Sequence, residues 1–203
     1  MLSHGILAAA IVSFSASSGF AESFSARLNG FNELGALNNE TGAILSNGTG
    51  TVSLRLNQRT ATIDYTLNYS DVGTTPPKTG TVSQAHIHFG KSHNAGGVLV
   101  FFCTNLTFLG TGPKPPACPT HSGTVSGTWT QANVQAITSQ NVTAGDFNAL
   151  LEALASDTAY ANVHTTSGTA PDTAFPAGEI RGQCRNEDQE DGEETGGGKD
   201  RTR

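Results

Sequence analysis

Charge is scarce in this sequence: only 14% of its 203 residues are Asp, Glu, Lys or Arg, and they sum to a formal charge of -6. There is no cluster of Lys and Arg, which excludes a basic nucleic-acid binder, and the acidic balance argues equally against an anionic membrane surface as partner. There is no apolar run of 18 residues and no heptad pattern, which excludes a membrane-spanning helix and a coiled coil. Cysteine is limited to three residues with no C-x-x-C pair, so neither a zinc ribbon nor a thioredoxin-like redox site is supported. What the chain does have is glycine, 24 residues of it, with abundant Thr, Ser and Asn. That mixture points to short strands joined by many turns.

The two ends read differently from the middle. Residues 1–21 carry an apolar stretch from Ile6 to Phe14, then small residues up to Ala21, with no Asp, Glu, Lys or Arg before Glu22. The stretch is too short for a bilayer but fits the core of a cleavable signal peptide, with cleavage expected after Ala21. Residues 185–203 contain no apolar side chain and hold seven acids and four bases. Such a tail cannot bury enough surface to offset ordering, so disorder is expected. No hydrophobic segment follows it, so no membrane anchor is expected. Residues 22–184 remain as one domain. Five N-x-[ST] sequons, at Asn39, Asn47, Asn68, Asn105 and Asn141, are candidate glycosylation sites in a secretory pathway.

Within that domain the apolar residues alternate with period two. Ile63, Tyr65, Leu67 and Tyr69 alternate with Thr62, Asp64, Thr66 and Asn68, and Val52, Leu54 and Leu56 repeat the pattern. Strands are predicted at 24–28, 50–56, 61–69, 82–89, 98–102, 123–130, 159–165 and 179–183. About eight short strands separated by Gly, Asn and Pro predict an all-β fold, an antiparallel Greek-key sandwich or barrel. One segment departs from it. Thr143 and Asp146 precede Phe147, Leu150, Leu151 and Leu154, which predicts a capped amphipathic helix inside 143–156. Cys103 and Cys118 flank a Gly/Pro-rich loop of about 15 residues, and a bridge between them would contribute on the order of 3 kcal/mol. Cys184 is the odd one: free, paired between chains, or a competitor for Cys103.

Histidine supplies the candidate chemistry. In the strand around Ala85, Ile87 and Phe89, the intervening His86 and His88 project to the other side, about 6.5–7 Å apart. The same alternation sets His164 and Asn162 opposite Ala161 and Val163, and sets Glu179, Arg181 and Gln183 opposite Ile180. Three imidazoles on strands, placed on a surface away from the core, suit copper or zinc as the ion, with Glu179 and Arg181 as supporting groups. Two nitrogens sharing one ion should lie within about 4 Å of each other. The competing reading is a hydrogen-bonded surface network without metal. His93 and His121 fall in loops and read as ordinary surface residues.

Two motifs carry a family resemblance. Ala85-His86-Ile87-His88-Phe89-Gly90 with Asn94-Ala95-Gly96-Gly97-Val98 is similar to the central motif of the chordin-domain (CHRD) family. Tyr160-Ala161-Asn162-Val163-His164-Thr165 with Phe175-Pro176-Ala177-Gly178-Glu179-Ile180-Arg181-Gly182-Gln183 is similar to its closing motif. The likeness spans roughly 23–183, with a long insert at 166–174. It implies a secreted, extracellular β-rich module that acts by binding an unidentified extracellular partner or structurally, rather than as an enzyme. A fainter likeness to copper/zinc superoxide dismutases surrounds the histidines. It would assign copper to His86, His88 and His164 and an anion-guiding role to Arg181, three residues before Cys184. It offers no zinc loop, and only His93 and His121 as spare candidates for a fourth copper ligand.

Overall fold

The computed structural model describes residues 22–34, 42–77, 79–166 and 174–187. The expected signal segment, the sequon at Asn39, most of the 166–174 insert and the acidic tail from 188 onward lie outside the described residues. Among the described residues nine strands form, in the order β1 (Ser23–Asn29), β2 (Thr49–Asn57), β3 (Thr62–Ser70), β4 (Thr81–Phe89), β5 (Gly97–Thr104), β6 (Gly123–Trp129), β7 (Ala159–Thr166), β8 (Ile180–Gln183) and β9 (Arg185–Asn186). One α-helix, α1 (Phe147–Ala155), lies between β6 and β7. All pairings are antiparallel, and they form one continuous sheet ordered β5-β4-β7-β8-β1-β2-β3-β6, with β9 beside β1. The eight expected strands are all present. The ninth pairs Arg185 and Asn186 with Ser25 and Phe24, so strand pairing runs two residues into the segment read as tail.

Alternation builds the core in β2 and β3. Val52, Leu54 and Leu56 are buried while Thr51, Ser53 and Arg55 are exposed, and Leu54 faces Tyr65 across the ladder. The sheet curls until its two ends, β5 and β6, meet. That seam is joined by side chains rather than a ladder. Trp129 on β6 donates its indole N–H to the Phe101 carbonyl on β5 at 2.9 Å, and the Tyr65 hydroxyl donates to the Phe102 carbonyl at 3.3 Å. Tyr65 stacks on Trp129 with centroids 4.3 Å apart, and Phe102 lies 4.9 Å from Trp129. The seam also explains Gly127: a Cβ there would sit 2.6 Å from the Tyr65 hydroxyl oxygen.

The helix falls inside the 143–156 window that its sequence predicts. Asp146 is the N-cap, its carboxylate accepting from the Ala149 N–H at 3.0 Å. Gly145 has φ 81, a left-handed value that prevents a right-handed helix from running through it. Phe147, Leu150, Ala153 and Leu154 form the buried face, and full burial of a leucine such as Leu150 contributes about 2 kcal/mol. Cys103 and Cys118 are joined in a disulfide that closes the loop after β5. Asn105 straps the same loop: its amide donates to the Val82 and Cys118 carbonyls and its oxygen accepts from the Cys118 N–H. Cys184 is a free, buried thiol, and burial pushes it up to about 12.

Candidate metal centre

Strand register assembles the histidines. His86 pairs with Asn162, His88 with Tyr160 and Gln84 with His164 across β4 and β7, so His164 stands diagonally from His86. Partners in a ladder share a face, and diagonal neighbours are within reach of long or ring side chains. His86 Nδ1 lies 3.2 Å from His164 Nε2. One ligand atom from each of His86, His88 and His164 can be chosen so that all lie within 4.8 Å of one another.

The hydrogen bonds assign the tautomers. His88 Nδ1–H donates to the Gly96 carbonyl at 2.9 Å, and His164 Nδ1–H donates to the Pro176 carbonyl at 3.0 Å. Each ring therefore keeps a bare lone pair on Nε2 when neutral. His86 Nδ1–H then donates to His164 Nε2. This leaves His86 Nε2 and His88 Nε2 buried with no hydrogen-bond partner. Such orphaned polar atoms are uncommon and costly.

The cluster is not on a surface, which corrects the expectation from alternation. His86, His88 and His164 are only 2%, 8% and 6% exposed. Period two tells which side of a strand a residue occupies but not what covers that side. Here Phe101 sets its ring edge-on to His86 at 4.5 Å, Tyr160 stacks parallel to His88 at 4.8 Å, and the segments around Gly96 and Pro176 close over the rest. Gly96 is forced: a Cβ would lie 1.7 Å from the Phe89 carbonyl oxygen. Its N–H donates to the Tyr160 hydroxyl while its carbonyl holds His88.

Burial sets the charge state. It is the leading cause that holds His86 well below its usual value, with the fields of His164 and His88 adding to it. Burial first, then His164 and Arg181, bring His88 to about 4 against the pull of the Gly96 carbonyl. Burial likewise brings His164 to about 4, opposed by the Pro176 carbonyl. All three rings are thus neutral at pH 7, the form that ligates metal.

Arg181 pairs with Asn162 across β7 and β8 and so keeps the side that alternation gives it, whereas Glu179 does not. Glu179 precedes β8, so period two does not extend to it. Its buried carboxylate accepts from the Ser46 hydroxyl at 2.7 Å, the Gly73 N–H at 2.9 Å and the Thr165 hydroxyl at 2.9 Å, not from an imidazole. Arg181 is buried, stacks on Tyr160 with its guanidinium carbon 3.4 Å from that ring's centroid, acts on His88 through its field, and donates to the Lys91 and Asn94 carbonyls. His93 is exposed and His121 bonds the Val72 carbonyl at 2.9 Å, and neither joins the cluster. Cys184, which the dismutase likeness would place in a disulfide, is a free thiol. Tyr160 and the Asn162–Glu33 hydrogen bond were not singled out from the sequence. Tyr160 shares the parity of Asn162 and His164 and was legible; Glu33 comes from a distant loop and was not. The described sequons Asn47, Asn68, Asn105 and Asn141 are all exposed, and the Asn105 amide nitrogen is occupied by its two carbonyl partners.

These donors fit a borderline or soft divalent ion. Two nitrogens on a tetrahedral ion at 2.0–2.1 Å are about 3.3 Å apart, close to the 3.2 Å between His86 Nδ1 and His164 Nε2; an ion there displaces the Nδ1 proton of His86, which moves to the unpartnered Nε2. The outer bound of 4.8 Å exceeds the separation two such ligands can span, so a shared ion requires a ring shift of roughly 1 Å.

Fold and cluster together define an all-β, nearly closed barrel-like domain with a buried three-histidine centre. A family model described as the CHRD domain matches residues 24–184, and the chain belongs to that family. No curated protein matches it.

Proposed function

We propose that this chain is a secreted CHRD module that binds one copper or zinc ion through His86, His88 and His164, acting as an extracellular binding or structural domain rather than an enzyme. The observation that carries the metal reading is the convergence of three imidazoles held neutral by burial, one ligand atom from each within 4.8 Å of the others, with the His88 Nε2 lone pair buried and without a partner. An ion there would employ that His88 lone pair and would take the place of the His86–His164 hydrogen bond. The carbonyls of Gly96 and Pro176 act as outer partners that fix the ring orientations. The Cys103–Cys118 disulfide supports an oxidising compartment. Burial of all three rings favours holding an ion over turning over a substrate.

The test is metal uptake by the full secreted chain. Titration with Zn(II) and with Cu(II) at pH 7 should show one-site binding, and His86→Ala should abolish most of it. Absence of uptake of either ion ends the metal reading. Recovery from the medium of protein beginning at Glu22 supports secretion, and retention of the uncleaved chain inside the cell refutes it.

A further inference from the structure

A second feature lies apart from the histidines. The registers Asn29 with Arg181 and Ser25 with Arg185 put Ser25, Arg27, Arg181 and Arg185 on one face of β1, β8 and β9. There they line a cavity of about 290 Å³, together with Asn32 and Ser92. No Asp or Glu and none of the three clustered histidines lines it. In a chain whose net charge is -6, three guanidiniums facing one hollow are a local reversal of sign.

These arginines are poorly neutralised. Arg181 is buried, and its two hydrogen bonds go to the neutral carbonyls of Lys91 and Asn94. A guanidinium has five N–H donors, so three remain. Glu33 acts on Arg181 only through the field, as one of the groups opposing the effect of burial. Arg185 meets Asp157 at 3.5 Å with both side chains about half exposed, a pair of little strength. Arg27 is exposed, and its guanidinium has no hydrogen bond or ion pair among the described residues. A buried cation such as Arg181 is stabilised by a paired anion, and guanidiniums present forked donors that match the oxygens of carboxylate, sulfate or phosphate. The hydroxyls of Ser25 and Ser92 and the Asn32 amide add neutral donors to the same hollow.

We propose that this cavity is a binding site for a small oxyanion group, carried by a free inorganic anion or by an acidic sugar. It is independent of the metal reading, since no histidine of the cluster lines it. Calorimetric titration of the full secreted chain with inorganic sulfate, inorganic phosphate and glucuronate separates the sources. At least one should bind with one-site stoichiometry and weaken as chloride rises. Arg27→Gln and Arg185→Gln alter exposed residues and should each weaken that binding about tenfold, while Arg59→Gln, on the turn between β2 and β3, should not. Arg181→Gln is avoided as the primary variant because its stacking on Tyr160 is part of the fold. Failure of all three anions to bind, or binding indifferent to both Arg27→Gln and Arg185→Gln, overturns the proposal.

Discussion

Acid should unfold the metal-free protein through its histidines. His88 and His164 sit at about 4 in the fold and return to about 6.5 when the chain unfolds. Their folded values are depressed, so the unfolded chain binds more protons between those limits. Stability is full above about pH 6.5 and is lost as pH falls toward 4. A drop of that size corresponds to about 3 kcal/mol per ring taken alone. For His88 and His164 together that is on the order of 6 kcal/mol before their coupling is allowed for, a large part of the stability of a domain of this size, and His86 acts in the same direction. At the steepest point, uptake of up to three protons gives a slope of about 4 kcal/mol per pH unit. Urea unfolding in a chelator, repeated between pH 7 and 4.5, measures this slope directly. His164→Gln should reduce it by about one proton, or about 1.4 kcal/mol per unit. A stability that changes by less than one proton's worth between pH 6.5 and 5 would refute the reasoning, because it would mean the rings are as solvated in the fold as outside it.

Two further outcomes test the frame around the site. The double variant Cys103→Ser, Cys118→Ser should lose about 3 kcal/mol in denaturant unfolding, the chain-entropy value for a loop of this length; an unchanged midpoint would show that Asn105 alone holds the loop. Trp129→Phe should cost about 1–3 kcal/mol, read by the same unfolding assay, because it leaves the Phe101 carbonyl unpaired at the seam; a loss below about 0.5 kcal/mol would show that stacking alone joins β5 to β6.

Local periodicity determined much of this molecule before any tertiary contact. Ile63, Tyr65 and Leu67 announce a strand because period two is a property of the extended backbone itself, and the stripe of Phe147, Leu150 and Leu154 announces a helix for the same kind of reason. The grouping of His86 with His88, and of Asn162 with His164, followed from that parity. Strand alternation stops where the strand stops, so it does not place Glu179, one residue before β8. Tertiary structure alone decided the rest. The diagonal approach of His164 to His86 depends on the register of β4 against β7, which no local pattern encodes. The burial of the histidines depends on loops around Gly96 and Pro176, distant in sequence from the rings they hold. The gathering of Arg27, Arg181 and Arg185 depends on β8 and β9 returning to flank β1. Register, cover and return are long-range facts: they arise from which surfaces exclude water from one another, and a sequence states those surfaces without stating which of them meet.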